Sequence, residues 1–177
     1  MVNAITCLFK KKVTGDSPVP DEEVEKIGRE LRCEISRVFG HSIAIRELDT
    51  GSDNATEIEI NTLTNPFYDA ERFGISFVAS PRHADVLMIT GAITRNMEIA
   101  AQKTYEAMPS PKYVVAVGDE ACNGGIFKET YGVLGGADFL FPVDMKIPGN
   151  PPAPVQILTG LLALMKRANG KGQDQHS

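Results

Sequence analysis

The feature that most constrains this chain is a repeated switch in the period of its apolar residues. Short, almost uninterrupted apolar runs occupy Ile75–Val78, Val86–Thr90, Tyr113–Val117 and Phe139–Val143, and a further strand-like segment runs from Ser42 to Asp49. The runs are too short for helices and lack the alternation of a half-exposed strand, so they read as strands buried on both faces. Around them the period becomes helical. Val24, Ile27, Leu31, Ile35 and Val38 share one face over 21–39, with Asp21 as N-cap, Glu22 and Glu23 at the positive end of the helix dipole and Gly40 at the stop. A second helical pattern runs from Ile58 to Leu63. A third covers Arg95–Met108, where Met97, Ala100, Ala101, Thr104 and Met108 share a face and Pro109 and Pro111 end the helix. A fourth covers Pro154–Ala168, where Val155, Leu158, Leu162 and Met165 form the stripe that Ile157 and Leu161 widen. Doubly buried strands alternating with helices predict an α/β domain: a flavodoxin-like parallel sheet with helices on both faces.

A chain of 177 residues suits one such domain. The expected boundaries are an N-terminal arm over 1–20, punctuated by Gly15, Pro18 and Pro20, a domain over 21–169, and a frayed tail over 170–177. Hydrophobic residues at 42% and charged residues at 23% exclude wholesale disorder and coiled coil. A net charge of −5 argues against a nucleic-acid partner, which calls for a basic excess. No apolar run approaches the roughly 18–20 residues that span a bilayer. Lys10, Lys11 and Lys12 follow the apolar N-terminal stretch, whereas a secretory signal puts its charges first, so a cytoplasmic location is expected. Cys7, Cys33 and Cys122 make no metal-ligand spacing with one another or with His41, His83 and His176, which fits reduced thiols. Cys33, beside the first helical stripe, reads as a small packing residue.

In open parallel sheets, sites form beyond the carboxyl ends of the strands. Here those loops are Thr50–Thr56, Thr90–Thr94, Gly118–Gly125 and Val143–Pro152, the last containing the rigid run Pro148-Gly149-Asn150-Pro151-Pro152. Neither glycine-rich phosphate signature, G-x-G-x-x-G or G-x-x-x-x-G-K-[ST], occurs. Gly124-Gly125 reads either as a helix N-terminus that holds an anion or as a tight loop. Asp53, Asp119 and Glu120 read either as hard-cation ligands or, preferentially, as a solvated acidic rim. His83 reads as a structural hydrogen-bonding residue. No Ser/His/Asp or Cys/His arrangement is visible, and no catalytic residue is assigned.

Five segments taken together carry a resemblance. They are Asp49–Glu59 (DTGSDNATEIE), Tyr68–Ile75 (YDAERFGI), Ala79–Asp85 (ASPRHAD), Val117–Phe127 (VGDEACNGGIF) and Pro142–Pro152 (PVDMKIPGNPP). In this order the chain resembles the small, electron-transferring subunit of membrane-bound (group 4) nickel–iron hydrogenases and formate hydrogenlyase. That family includes the corresponding small subunit of respiratory NADH–quinone oxidoreductase. The resemblance runs from about Ser42 to Leu164 and leaves the first 40 residues uncovered. The family's motifs are G-S-C-x-x-C-[DE]-[IL]-E, G-[DS]-C-A-x-x-G-G and P-G-C-P-P, and their four cysteines hold one [4Fe–4S] cluster. At those positions this chain carries Asp53, Thr56, Glu120 and Asn150. Cluster iron takes thiolates, usually four. Cys122, two residues past Glu120, would supply one at most, so no [4Fe–4S] cofactor is expected.

The resemblance therefore implies a redox-silent accessory or scaffold subunit that docks a hydrogenase-like or quinone-oxidoreductase-like large subunit, on the cytoplasmic side of any membrane complex it joins. Two alternatives stay open: an electron-transfer subunit that binds a cluster by other means, and a free-standing domain that takes a metal or small ligand in the emptied site. Gly51-Ser52, Gly124-Gly125 and Pro151-Pro152 keep the frame around the lost ligands. Arg72, Arg82 and His83 are expected at the interface, paired with partner carboxylates.

Overall fold

The computed structural model describes residues 21–174, of which 171–174 are described in backbone only. The expected arm, 1–20, lies outside the described residues. Strands β1 (Ile43–Asp49), β2 (Ile75–Phe77), β3 (Val86–Thr90), β5 (Tyr113–Val117) and β7 (Met145–Ile147) form a sheet in the order β2-β1-β3-β5-β7. Every pairing in it is parallel, with Ile45 opposite Val86 and Asp49 opposite Thr90. Counting this sheet's own strands, the order is the 2-1-3-4-5 of flavodoxin-like folds. A separate antiparallel ribbon pairs β4 (Ile93–Thr94) with β6 (Val133–Gly135).

Helices α1 (Glu22–Phe39), α2 (Ala55–Thr62) and α5 (Pro154–Asp174) cover one face of the sheet. Their Leu31, Ile35, Ile60, Ile157 and Leu161 bury against Ile43, Ile45, Val86, Met88, Val115 and Val117. Helices α3 (Glu98–Ala107) and α4 (Asp119–Asn123) lie on the other face, where Ala101, Ala121 and Cys122 meet Leu48, Leu87, Ile89, Val114 and Ala116. Strand β3 is central and all five of its residues are buried, which explains its unbroken apolar sequence. Asp21 accepts a hydrogen bond from the Glu23 N–H at 2.9 Å, and Gly40 ends α1 in the left-handed conformation.

The expected strand at Phe139–Val143 is not one. Pro142 removes a backbone donor and Phe139 is exposed, and the segment begins as a single 3-10 turn over Ala137–Phe139. The fifth strand of the sheet is β7, beginning just beyond it at Met145, with the exposed Lys146 at its centre as suits a sheet edge. The helix expected over Arg95–Met108 starts at Glu98, because Thr94 and Arg95 are held by the Thr50 and Gly132 carbonyls. The last helix continues past Ala168 to Asp174, into the stretch expected to fray. Among the described residues no helix is long and apolar enough to cross a membrane.

Candidate functional site

Four loops at the carboxyl ends of the strands, after β1, β3, β5 and β7, are tied together by hydrogen bonds and close backbone approaches. After β1, Asp49 Oδ1 accepts the N–H groups of Gly51 and Ser52, both at 2.8 Å, and turns the chain. The Thr50 hydroxyl donates to the carbonyls of Thr90 at 3.0 Å and Gly91 at 3.1 Å. Gly91 has φ +72°, and a Cβ there would stand 2.3 Å from the Ser52 nitrogen. Only glycine lets the two loops close on each other in this way. The chain then crosses the end of β3. Asp53 Oδ1 accepts the Ala55 N–H at 2.9 Å and starts α2.

That crossing brings Thr56 to the loop after β5. A Cβ at Gly118 would lie 2.7 Å from the Thr56 hydroxyl and 3.6 Å from the Gly149 carbonyl. Asp119 and Gly149 hold each other, with the Asp119 N–H donating to the Gly149 carbonyl at 2.8 Å and the Gly149 N–H donating to Asp119 Oδ1 at 2.9 Å. Glu120 and Asn150 line one cleft of about 390 Å³ together with Asp119, Asn123, Gly125, Ile126 and Lys128. Asp53 is close enough to raise the Glu120 carboxyl by its charge while its N–H favours the ionised form. Asp53, Thr56, Glu120 and Asn150 therefore come together at one end of the sheet, with Thr56 and Glu120 buried and Asp53 and Asn150 exposed.

The electrostatics of this end are one-sided. Burial, then the charges of Asp53, Glu57 and Asp49, push Glu120 above its ordinary carboxyl value. Glu47 is raised by burial and by Glu57. Glu57 itself is 8% exposed, and both of its carboxylate oxygens are buried without a hydrogen-bond partner. The sequence marks Glu57 and Glu59 among the acidic residues around these loops without assigning either to the site, and Thr56, Glu57 and Ile60 fall at helical spacing on the buried side of α2.

The expected basic residues are elsewhere. Arg72 precedes β2, pairs with Glu25 of α1 at 2.5 Å and stacks over Phe73 with its guanidinium 4.5 Å from the ring centre. Arg82 and His83 are exposed in the 3-10 turn Pro81–His83 that leads into Val86, the first residue of β3. From Val86 to the carboxyl end at Thr90 is about 13 Å of strand, so these two are not part of the four-residue cluster. Gly124-Gly125 does not open a long helix. Gly124 caps the C-terminus of α4, and one 3-10 turn follows.

Oxygen and amide groups at the four corners do not fit a [4Fe–4S] cluster, whose iron takes thiolates. The one nearby thiol does not repair the set. Cys122 Sγ lies in the core beneath α4, 3.6 Å from the Ala116 carbonyl, and burial pushes its pKa up to about 11, away from the thiolate a metal needs. Among the described residues no three His, Cys, Asp or Glu side chains stand so as to hold a metal ion between them.

The fold and the loop frame are those of a protein family. The chain belongs to the family described as NADH ubiquinone oxidoreductase, 20 Kd subunit, whose pattern matches residues 54–164. It is similar to formate hydrogenlyase subunit 7 of Escherichia coli, 41% identical over 88% of this chain, and spans 63% of that protein's length. It is 38% identical to an NADH-quinone oxidoreductase subunit of Bacteroides thetaiotaomicron, over 89% of this chain and 85% of the relative. A probable membrane-bound hydrogenase subunit of Pyrococcus furiosus is 40% identical over 77% of this chain and 82% of its own. Among solved structures, a chain of the membrane-bound sulfane sulfur reductase, an archaeal respiratory membrane complex, superposes with a TM-score of 0.67 at 34% identity, covering 80% of this chain and 77% of that one. The [NiFeSe] hydrogenase of Desulfovibrio vulgaris Hildenborough shares the fold, with a TM-score of 0.55 at 16% identity, covering 78% of this chain and 66% of its own.

Proposed function

We propose that this protein is a small subunit of a hydrogenase-like or quinone-oxidoreductase-like complex, one that docks a large subunit without passing electrons through a cluster of its own. The observation that carries the reading is the contrast between frame and ligands. The family's loops are kept in register and locked by Gly91, Gly118 and the Asp119–Gly149 pair, yet Asp53, Thr56, Glu120 and Asn150 offer no thiolate. A domain that had lost both cluster and partner would be under no chemical requirement to hold these loops in one shape, whereas a docking surface requires shape.

In this reading the carboxyl-end face is the principal contact. Arg82 and His83, exposed in the amino half of the sheet, would serve a separate one. The complex would sit at the cytoplasmic side of a membrane, reached through its partners. The test is purification of the tagged protein from its own host under anaerobic, mild-detergent conditions. Recovery of a stoichiometric hydrogenase-like or quinone-oxidoreductase-like large subunit supports the proposal. Recovery as a lone, stable monomer refutes it.

A further inference from the structure

We infer that the partner covering the carboxyl-end face inserts a basic side chain, an arginine or lysine set among apolar residues, into the cleft beside Glu120. This inference rests on the docking reading above and deepens it by reversing the expected sign of the contact. Asp49, Asp53, Glu57, Asp119 and Glu120 crowd this end of the sheet, and the ion pairs among the described residues involve none of them. None of the chain's own cations pairs with this group among the described residues, although Arg46 offsets part of the charge on Glu47. Lys146 is held by Asp138 at 2.6 Å and the Cys122 carbonyl at 2.7 Å, and Arg72 is held by Glu25. Lys128 borders the cleft and is exposed.

Glu57 is the independent observation. A carboxylate 8% exposed, with both oxygens shielded and unpartnered, is costly to bury alone and is stabilised by a cation brought to it. Its charge reaches both Glu120 and Glu47, so a positive group seated beside Glu120 relieves Glu120 and Glu57 together. The surroundings favour a protein side chain over an inorganic ion. No three acidic, His or Cys side chains converge as metal ligands among the described residues, and the cleft, about 390 Å³, has room for a long side chain. Its rim carries Ile126, 81% exposed, and the chain that follows carries Tyr131 at 94% and Phe139 at 56%. Exposed apolar groups beside a cleft whose carboxylates outnumber its one lysine are the complement of a basic anchor ringed by apolar residues.

The test measures the affinity of the purified chain for the recovered large subunit as a function of salt, alongside the melting temperature of the chain alone. The variants are Glu57→Gln, Asp53→Asn and Ile126→Ala. Glu57→Gln is expected to weaken association roughly 30-fold and to flatten its salt dependence. It should also raise the melting temperature of the free chain, because an uncompensated charge has been removed. Asp53→Asn, at an exposed position where the new side chain keeps the cap on Ala55, should lower affinity and salt slope together without a folding defect. Ile126→Ala should lower affinity and leave the salt slope unchanged.

Unchanged or tighter binding by Glu57→Gln and Asp53→Asn overturns the inference while leaving the docking intact. So does weaker binding that comes with a destabilised Glu57→Gln chain and a silent Asp53→Asn. A rise in the melting temperature of the free wild-type chain on adding Mg²⁺ or Ca²⁺, absent in Glu57→Gln, assigns the site to an inorganic cation and also overturns it. No association of the wild-type chain at any salt concentration refutes the docking and this inference with it.

Discussion

Gly118 is where the loops after β1, β5 and β7 meet, and its replacement by alanine tests that junction directly. Its backbone stands at φ 89° and ψ 157°, a region that is essentially closed to residues with a Cβ and costs about 1–3 kcal/mol to impose. The new methyl would also sit 2.7 Å from the Thr56 hydroxyl, tighter than any relaxed contact. Thr56 is buried and cannot swing into solvent, so the crowding adds an overpacking cost of about 1–3 kcal/mol. The expected destabilisation is about 2–6 kcal/mol, a large part of the roughly 5–15 kcal/mol that holds a domain folded. Gly40 supplies the control. It has φ 71° with nothing within 4 Å of the added atom, so Gly40→Ala carries backbone strain alone, about 1–2 kcal/mol. Urea unfolding of both variants at equal m-value gives the comparison. Adding Thr56→Ala to Gly118→Ala should recover the crowding part as a coupling of about 1 kcal/mol or more in a double-mutant cycle. If Gly118→Ala costs no more than Gly40→Ala, or the cycle shows no coupling, the loops do not meet as described.

Two further outcomes follow from the chemistry of buried groups. Cys122, with its thiol pushed up to about 11, should resist iodoacetamide at mildly alkaline pH until the chain is unfolded, whereas the exposed Cys33 reacts in the folded protein. Peptide mass spectrometry distinguishes them, and prompt labelling of Cys122 would contradict its placement in the core. Glu120 and Glu47 are raised in the folded state above the ordinary value of 4.5, so the stabilisation they contribute is full below that value and is lost as pH rises through the raised one. Glu120→Gln should therefore gain stability over the wild type as pH increases toward neutrality, read from melting temperatures across a pH series. An equal difference at every pH would show that Glu120 is not shifted.

Much of the sheet was legible because its strands are buried on both sides and therefore continuously apolar. Val86–Thr90 and Tyr113–Val117 are strands to the residue. Strand β7 was not legible, since an edge strand of three residues tolerates Lys146 at its centre, and the more apolar run just before it is interrupted by Pro142. The β4–β6 ribbon is also too short to leave a pattern. Asp53, Thr56, Glu120 and Asn150 are named from motif register alone, and the loops that carry them meet at one end of the sheet. The sign of the surface could not. Arg72 is spent on Glu25, a partner on another element, and the isolation of Glu57 depends on how α2 lies across the sheet. Local sequence carries no information on either.

Iron and acid-labile sulfide, assayed in the protein isolated anaerobically from its own host, decide between the proposed docking subunit and an electron carrier. Neither is expected in stoichiometric amount, for the wild-type chain and equally for a Cys122→Ser variant. About four iron and four sulfide per chain, the content of one [4Fe–4S] centre, would contradict it and return the protein to electron transfer.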